Sequence, residues 1–197
     1  MLVYLLRHGE SEGNKRGLIQ GKLDFPLSEG GKEQAKRAAL FLKRYRFDLI
    51  LSSPQKRAFE TALVVSKVLE KPFKVDERLR EISYGVMEGK TIKELSSWES
   101  YLRWLENPVK NTLEGVEDIS SLERRIEDLL RHLEGERVLL ITHGGFIRAA
   151  ACKAAAIGLE HMWKFSVGNC SLTVLEIKNK NPLKGKIKLF NLPLAEF

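Results

Sequence analysis

The sequence predicts an α/β protein with a mostly parallel sheet and helices on both faces, a three-layer arrangement. Three observations carry that reading. Short apolar runs at residues 2–6, 48–51 and 138–142 read as buried strands. Segments between and after them repeat apolar residues at helical spacing. Each run also ends in polar and small residues, where a parallel sheet places its ligand site.

Taken in order, Ala35, Ala38, Ala39, Leu42 and Tyr45 predict a helix over 33–45. Ser53-Pro54 predicts an N-cap with proline at the first helical position. The helix it opens carries Ala58, Thr61, Ala62, Val65, Val68 and Leu69 on one face. Thr91 and Glu94 have capping-box spacing and open a helix running to Asn107-Pro108. Its apolar side holds Trp98, Tyr101, Leu102 and Leu105, so these aromatics and Trp104 are expected in core packing rather than in a substrate lid. Glu117 and Asp118 open a helix with the stripe Ile119, Leu122, Ile126, Leu129, Leu130 and Leu133. A last helix is expected over 145–157, and closing strands over 171–177 and 186–190. No repeat or linker-like stretch intervenes, so one domain is expected over residues 1–197.

At 43% hydrophobic and 30% charged, the composition is globular. The opening apolar run is too short for a membrane span and meets Arg7 and His8 directly, so a cytoplasmic protein is expected. Cys152 and Cys170 lie in apolar segments and read as buried thiols. His132 and His161 have no neighbours at metal-ligand spacing, and no metal site is expected. The net charge of +7 suits nucleic acid, a membrane surface or a small anion equally. Its one local excess, Lys178, Lys180, Lys184, Lys186 and Lys188, flanks a turn and reads as the solvated face of a hairpin.

The chemistry gathers at the strand ends. The first run ends in Arg7-His8-Gly9-Glu10-Ser11, the second in Ser52-Ser53-Pro54 with Arg57 one turn on, the third in His143-Gly144-Gly145. Two histidines and two arginines are therefore expected in one crevice. Arginine forks match phosphate oxygens, and adjacent glycines let backbone N–H groups approach an anion. A neutral imidazole in such a pocket can attack phosphorus.

The string Leu5-Leu6-Arg7-His8-Gly9-Glu10-Ser11 resembles the signature of the histidine phosphatase superfamily, the phosphoglycerate mutase-like proteins. Asn14, Gln20-Gly21, Asp24, Pro26-Leu27, Gly31 and Gln34-Ala35 follow in the family's order. Ser52-Ser53-Pro54-Gln55-Lys56-Arg57-Ala58 with Thr61-Ala62 looks like its second motif, and Leu79-Arg80-Glu81 through Gly85 and Glu88-Gly89 its third. Ile141-Thr142-His143-Gly144-Gly145 looks like its fourth. The resemblance implies a phosphoglycerate mutase-like fold and a phosphoric monoester hydrolase of the histidine acid type, working without a cofactor. His8 would take the phosphoryl group. Arg7, Arg57 and His143 would hold its oxygens, with Asn14, Gln20 and Gly144 as further substrate contacts. Glu81, chosen over Glu88 by its place in the motif, would protonate the leaving oxygen and then activate water. The expected partner is a small phosphorylated metabolite; a homodimer is expected only on base rates.

The family's Gly-Gly-Glu-Ser before the penultimate core helix reads Gly115-Val116-Glu117-Asp118 here, and Arg125 keeps its spacing from Glu117. Two other functions compete. A phosphoglycerate mutase would retain the phosphoryl group, but the mutases this chain resembles are usually longer, with an insertion after the third motif, and carry asparagine where Gly145 stands. A basic nucleic-acid-binding module would act through the lysine hairpin, but no recognition motif accompanies it.

Overall fold

A computed structural model describes residues 1–196. Six strands, β1 (Leu2–Arg7), β2 (Leu49–Ser52), β3 (Lys74–Val75), β4 (Arg137–Thr142), β5 (Ser171–Lys180) and β6 (Leu183–Pro193), form one sheet. Their order is β3-β2-β4-β1-β5-β6. The first four in that order run parallel, while β5 lies antiparallel to β1 and β6 antiparallel to β5. The mostly parallel sheet expected from the apolar runs is present, closed on one side by an antiparallel hairpin.

Side-chain alternation explains why the central strands are apolar throughout. On β1, Val3 and Leu5 enter one core with Val138 and Leu140, under α6 (Ile119–His132) and α7 (Gly144–Ala154). Tyr4 and Leu6 enter the other core with Ile50, Leu139 and Ile141, under α2 (Glu29–Leu42) and α3 (Lys56–Leu69). No described helix is long and apolar enough to cross a membrane.

Helix α2 starts at Glu29, four residues before the expected start at 33, because Ser28 caps it by accepting from Gly31 N at 3.0 Å. Asp118 caps α6 in the same way, through Ser120 N at 2.6 Å. Ser53-Pro54 does not open α3. The helix begins at Lys56 with Gln55 at the N-cap position and no side-chain cap. The Ser53 hydroxyl is instead bonded to His143 Nε2 at 2.8 Å. The helix expected from Thr91 to Asn107 is two: α4 (Ile92–Leu95), with the capping box present, and α5 (Glu99–Glu106). Within α5, Leu102 is exposed and Trp104, off the expected stripe, is buried with Tyr101.

The single-turn helix α1 (Glu12–Lys15) and the two-residue β3 went unpredicted, since neither is long enough to show a period. Both closing strands run longer than expected, and α7 ends at Ala154 rather than 157. Lys178, Lys184, Lys186 and Lys188 are exposed along the hairpin, as a solvated face requires.

Leu140 sits fully buried on a central strand, whereas Leu40 is 62% exposed on α2. Leu140→Ala is expected to cost about 2–5 kcal/mol in urea unfolding, by lost transfer energy plus a cavity. Leu40→Ala should stay within about 0.5 kcal/mol of the parent.

Candidate active site

Strand pairing carries one residue past the ends of the sheet and so sets the site in register. His8 N donates to Thr142 O at 3.0 Å, and Ser53 N to Ile141 O at 2.9 Å. The His8 and His143 rings consequently lie 5.2 Å apart, centroid to centroid. Gly9 has to be glycine for a packing reason: a Cβ there would fall 2.5 Å from Gly31 O, in the first turn of α2. The Gly9 N–H donates to Thr61 Oγ1 at 3.1 Å, which ties the motif to α3.

His8 Nδ1 lies 2.6 Å from Gly9 O. A carbonyl only accepts, so the ring proton belongs on Nδ1 and the lone pair on Nε2. Burial holds the His8 pKa well below its ordinary 6.5, helped by the charges of Arg57 and Arg7. His143 is depressed likewise, by burial first and then Arg57. Its Nε2 lies 2.8 Å from Ser53 Oγ, which also accepts Gln55 N at 3.3 Å. His143 is fully buried beside His8, beneath the cavity surface rather than in its wall.

The guanidiniums are aimed by backbone carbonyls. Arg7 Nη1 donates to Val167 O at 2.6 Å; Arg57 Nη1 and Nη2 donate to Leu23 O and Gly21 O at 2.8 and 3.0 Å. Arg57 is 1% exposed, the largest fully buried side chain of the described residues. Desolvation, reinforced by Arg148, lowers the Arg7 pKa to about 10. Among the described residues, Arg7 Nε, Arg57 Nε, His143 Nδ1 and Trp163 Nε1 are buried without a hydrogen-bond partner. Unpaired buried donors are costly, and two guanidinium N–H groups left so in residues that line one cavity suit an anion.

Glu81 lines the same cavity, and its carboxylate sits at the N-terminus of α7. It accepts from Ile82 N at 2.9 Å, Gly145 N at 3.1 Å and Phe146 N at 3.3 Å. Gln55 Oε1 accepts Glu81 N at 2.8 Å, and Arg125 Nη1 grips the preceding carbonyl of Arg80 at 2.8 Å. Arg125 also forms a two-pronged ion pair with Glu117, at 2.8 and 3.0 Å, across the altered motif. Glu88 is committed elsewhere, accepting from Lys22 N and Tyr84 N at 2.9 Å each.

Asn14 and Gln20 also line the cavity. Asn14 Oδ1 accepts from Ser11 N and Asn169 Nδ2, which turns its amide N–H₂ end toward the opening. Gln20 Oε1 accepts from Ser11 Oγ at 2.7 Å, with the same result. Gly144 leaves space where a Cβ would meet Arg148 Nη1 at 2.8 Å. Apart from His143, which lies beneath it, the expected residues thus line a cavity of about 340 Å³.

Sequence reasoning missed four others. Arg148 and Trp163 line the cavity, and Tyr84 joins them with a phenol whose pKa burial and then Glu81 push well above 10. Asn169 holds the His8 carbonyl at 3.1 Å. Arg148 had a legible signal, four residues after Gly144 on one helix face; Trp163, on a short 3-10 helix (Leu159–Lys164), and Tyr84 and Asn169, outside any helix, had none. Tyr101 and Trp104, expected as core alone, are both core and cavity wall.

The family model of the histidine phosphatase superfamily (branch 1) matches residues 3–190. The chain belongs to that superfamily. Within the superfamily it is similar to phosphoserine phosphatase 1 of Hydrogenobacter thermophilus, 32% identical over 99% of this chain and 95% of the other. A 2,3-bisphosphoglycerate-dependent phosphoglycerate mutase of Thermoplasma acidophilum is 33% identical over 90% and 88%. Among solved structures, a phosphoserine phosphatase of Entamoeba histolytica in complex with phosphoserine superposes with a TM-score of 0.88 at 27% identity, covering 100% of this chain and 99% of that one. A mycobacterial glucosyl-3-phosphoglycerate phosphatase complexed with VO3 gives 0.87 at 28%, covering 97% and 98%.

The two depressed histidines fix a pH response. Unfolded histidines protonate near their ordinary 6.5, while the folded pair resists protonation. Their contribution to stability is therefore complete above that value and lost as pH falls below it. The urea midpoint should drop between about pH 7 and about pH 5.5, with a shallower slope in His143→Asn. A pH-independent midpoint over that range would contradict the neutral pair.

Proposed function

We propose that this chain, acting as one catalytic domain over residues 1–197, hydrolyses a small phosphomonoester through a phosphohistidine on His8. The observation that carries the proposal is the set of unpaired buried donors beside a neutral imidazole with its lone pair on Nε2. Phosphatases among the relatives support the same reading.

In the first step His8 Nε2 bonds to phosphorus and the ester P–O bond breaks. Glu81, in its protonated form, gives its proton to the departing oxygen. The ring becomes cationic, and Gly9 O on its Nδ1–H stabilises that charge. Arg7, Arg57 and His143 offset charge on the equatorial oxygens, with Asn14, Gln20 and the Gly144 backbone as further contacts. In the second step the Glu81 carboxylate takes a proton from water, whose oxygen bonds to phosphorus. The P–N bond breaks and its pair returns to Nε2. The sum is ester plus water giving alcohol plus phosphate. The arginines supply the positive charge, so the reaction is expected to proceed without a metal or cofactor.

The mutase is the second reading, because one relative carries that name. Gly145 favours hydrolysis. A Cβ at that position would fall 2.5 Å from Glu81 Oε1 and 2.8 Å from the Tyr84 hydroxyl, so a larger residue there displaces the group that activates water. We infer that the enzyme is of the acid type. With its pKa held down, His8 stays an unprotonated nucleophile in mildly acidic solution, as such an enzyme requires.

The test is phosphate release over a panel of phosphomonoesters, phosphoserine and 3-phosphoglycerate included, with chelator present. His8→Ala should lower the rate by on the order of 10³-fold or more. Activity that needs metal, or survives in the variant, overturns the mechanism. Conversion of 3-phosphoglycerate to 2-phosphoglycerate faster than phosphate release would make it a mutase. Gly145→Ala should lower kcat by about 10- to 100-fold with KM little changed, since Glu81 is misplaced rather than phosphate binding lost.

A further inference from the structure

Helix α7 carries a third guanidinium into the cavity. Long helical side chains lean toward the helix N-terminus, and Arg148 lies back over Gly144, four residues earlier. A Cβ at Gly144 would meet Arg148 Nη1 at 2.8 Å and Arg7 Nε at 3.6 Å, so the two guanidiniums flank one point. Arg148 is aimed from two sides. Its Nε donates to Phe165 O at 2.6 Å, and its guanidinium lies 5.4 Å from the centre of the Trp163 ring. Trp163 in turn stacks against Trp104 and Tyr84, with centroids 4.9 and 6.1 Å away.

Arg7, Arg57 and Arg148 are all held by neutral carbonyls, so their charge is left for a ligand. Glu81 is the one acid among the described lining residues. When Glu81 carries the proton it must donate, the wall holds three positive charges and no negative one. A phosphate dianion balances two. The third cation sits beside the phosphate site, toward the aromatic wall where the alcohol part of the ester must lie.

We propose that Arg148, seated on Trp163, reads a carboxylate on the substrate, so that the preferred esters are phosphorylated carboxylic acids with a short spacer between the two anions. The arginine fork matches a carboxylate in two-pronged geometry, and the aromatic wall excludes the water that would screen it. This rests on the phosphatase reading above for the position of the phosphate. Arg148 is a specificity residue here, outside the bond-making steps.

Phosphoserine and phosphoethanolamine differ by that carboxylate alone and make the test. Arg148→Gln should lower the ratio of their kcat/KM values by on the order of 10²-fold, mainly through the KM for phosphoserine. Arg148→Lys keeps the charge without the fork and should recover part of the ratio. The same preference should appear in calorimetric binding to His8→Ala protein, where nothing turns over, and vanish in the His8→Ala, Arg148→Gln double variant. A ratio unchanged by Arg148→Gln, whatever the absolute rates, overturns the proposal, because the residue then serves the phosphate or the fold. So does equal binding of the two esters to His8→Ala protein. If the parent enzyme hydrolyses no ester while the binding preference persists, the phosphatase reading fails and the carboxylate reading stands.

Discussion

The hydrogen bond from His8 Nδ1 to the carbonyl of Gly9 decides which ring nitrogen can act as a nucleophile, and much of the surrounding structure serves to hold that carbonyl. The Gly9 amide is tied to α3 through Thr61, its Cα is pressed against the start of α2, and the His8 carbonyl is gripped by Asn169. Freed from any of these, the ring could take its other tautomer and present a hydrogen to the phosphorus. A local bond of one residue's reach therefore depends on two helices and a loop 160 positions away in the chain, which is the kind of outer support that rigid sites need.

The electrostatics push the same way. Burying arginines and imidazoles together is unfavourable unless the imidazoles stay neutral, and the depressed values of His8 and His143 are the signature of that compromise. The arginines remain charged because carbonyls, which cost no compensating negative charge, orient them. A carboxylate partner for each would have given a more stable protein and a site with nothing left to offer an anion.

The strand ends were legible in the sequence because parallel strands buried on both faces must be apolar, and the first polar residue after each run is then conspicuous. Arg7, His8, Arg57 and His143 were found that way. Glu81, Asn14 and Gln20 came from the family resemblance. What stayed hidden depended on contacts between elements. Apolar residues on α5 spread over Tyr101, Leu102, Trp104 and Leu105, and packing put Trp104 inside and Leu102 outside. Ser53 looked like a helix cap because the sequence cannot show that a histidine 90 residues away competes for its hydroxyl. Asn169, Tyr84 and Trp163 sit outside the periodic segments, where position follows from tertiary packing alone.

The far wall of the cavity belongs to a small core of its own, made of Met87, Leu95, Tyr101 and Trp104, separate from the two that sandwich the sheet. Much of the wall that faces the alcohol is therefore built apart from the two histidines. His8 and His143 follow strands whose sequence is constrained on both faces, while the wall across from them, Arg148 on α7 excepted, is an annex with its own packing. Drift in the annex can change which metabolite is accepted without reopening the question of how phosphorus is attacked. One scaffold can in this way supply many catalysts, each inheriting its reaction and acquiring its taste.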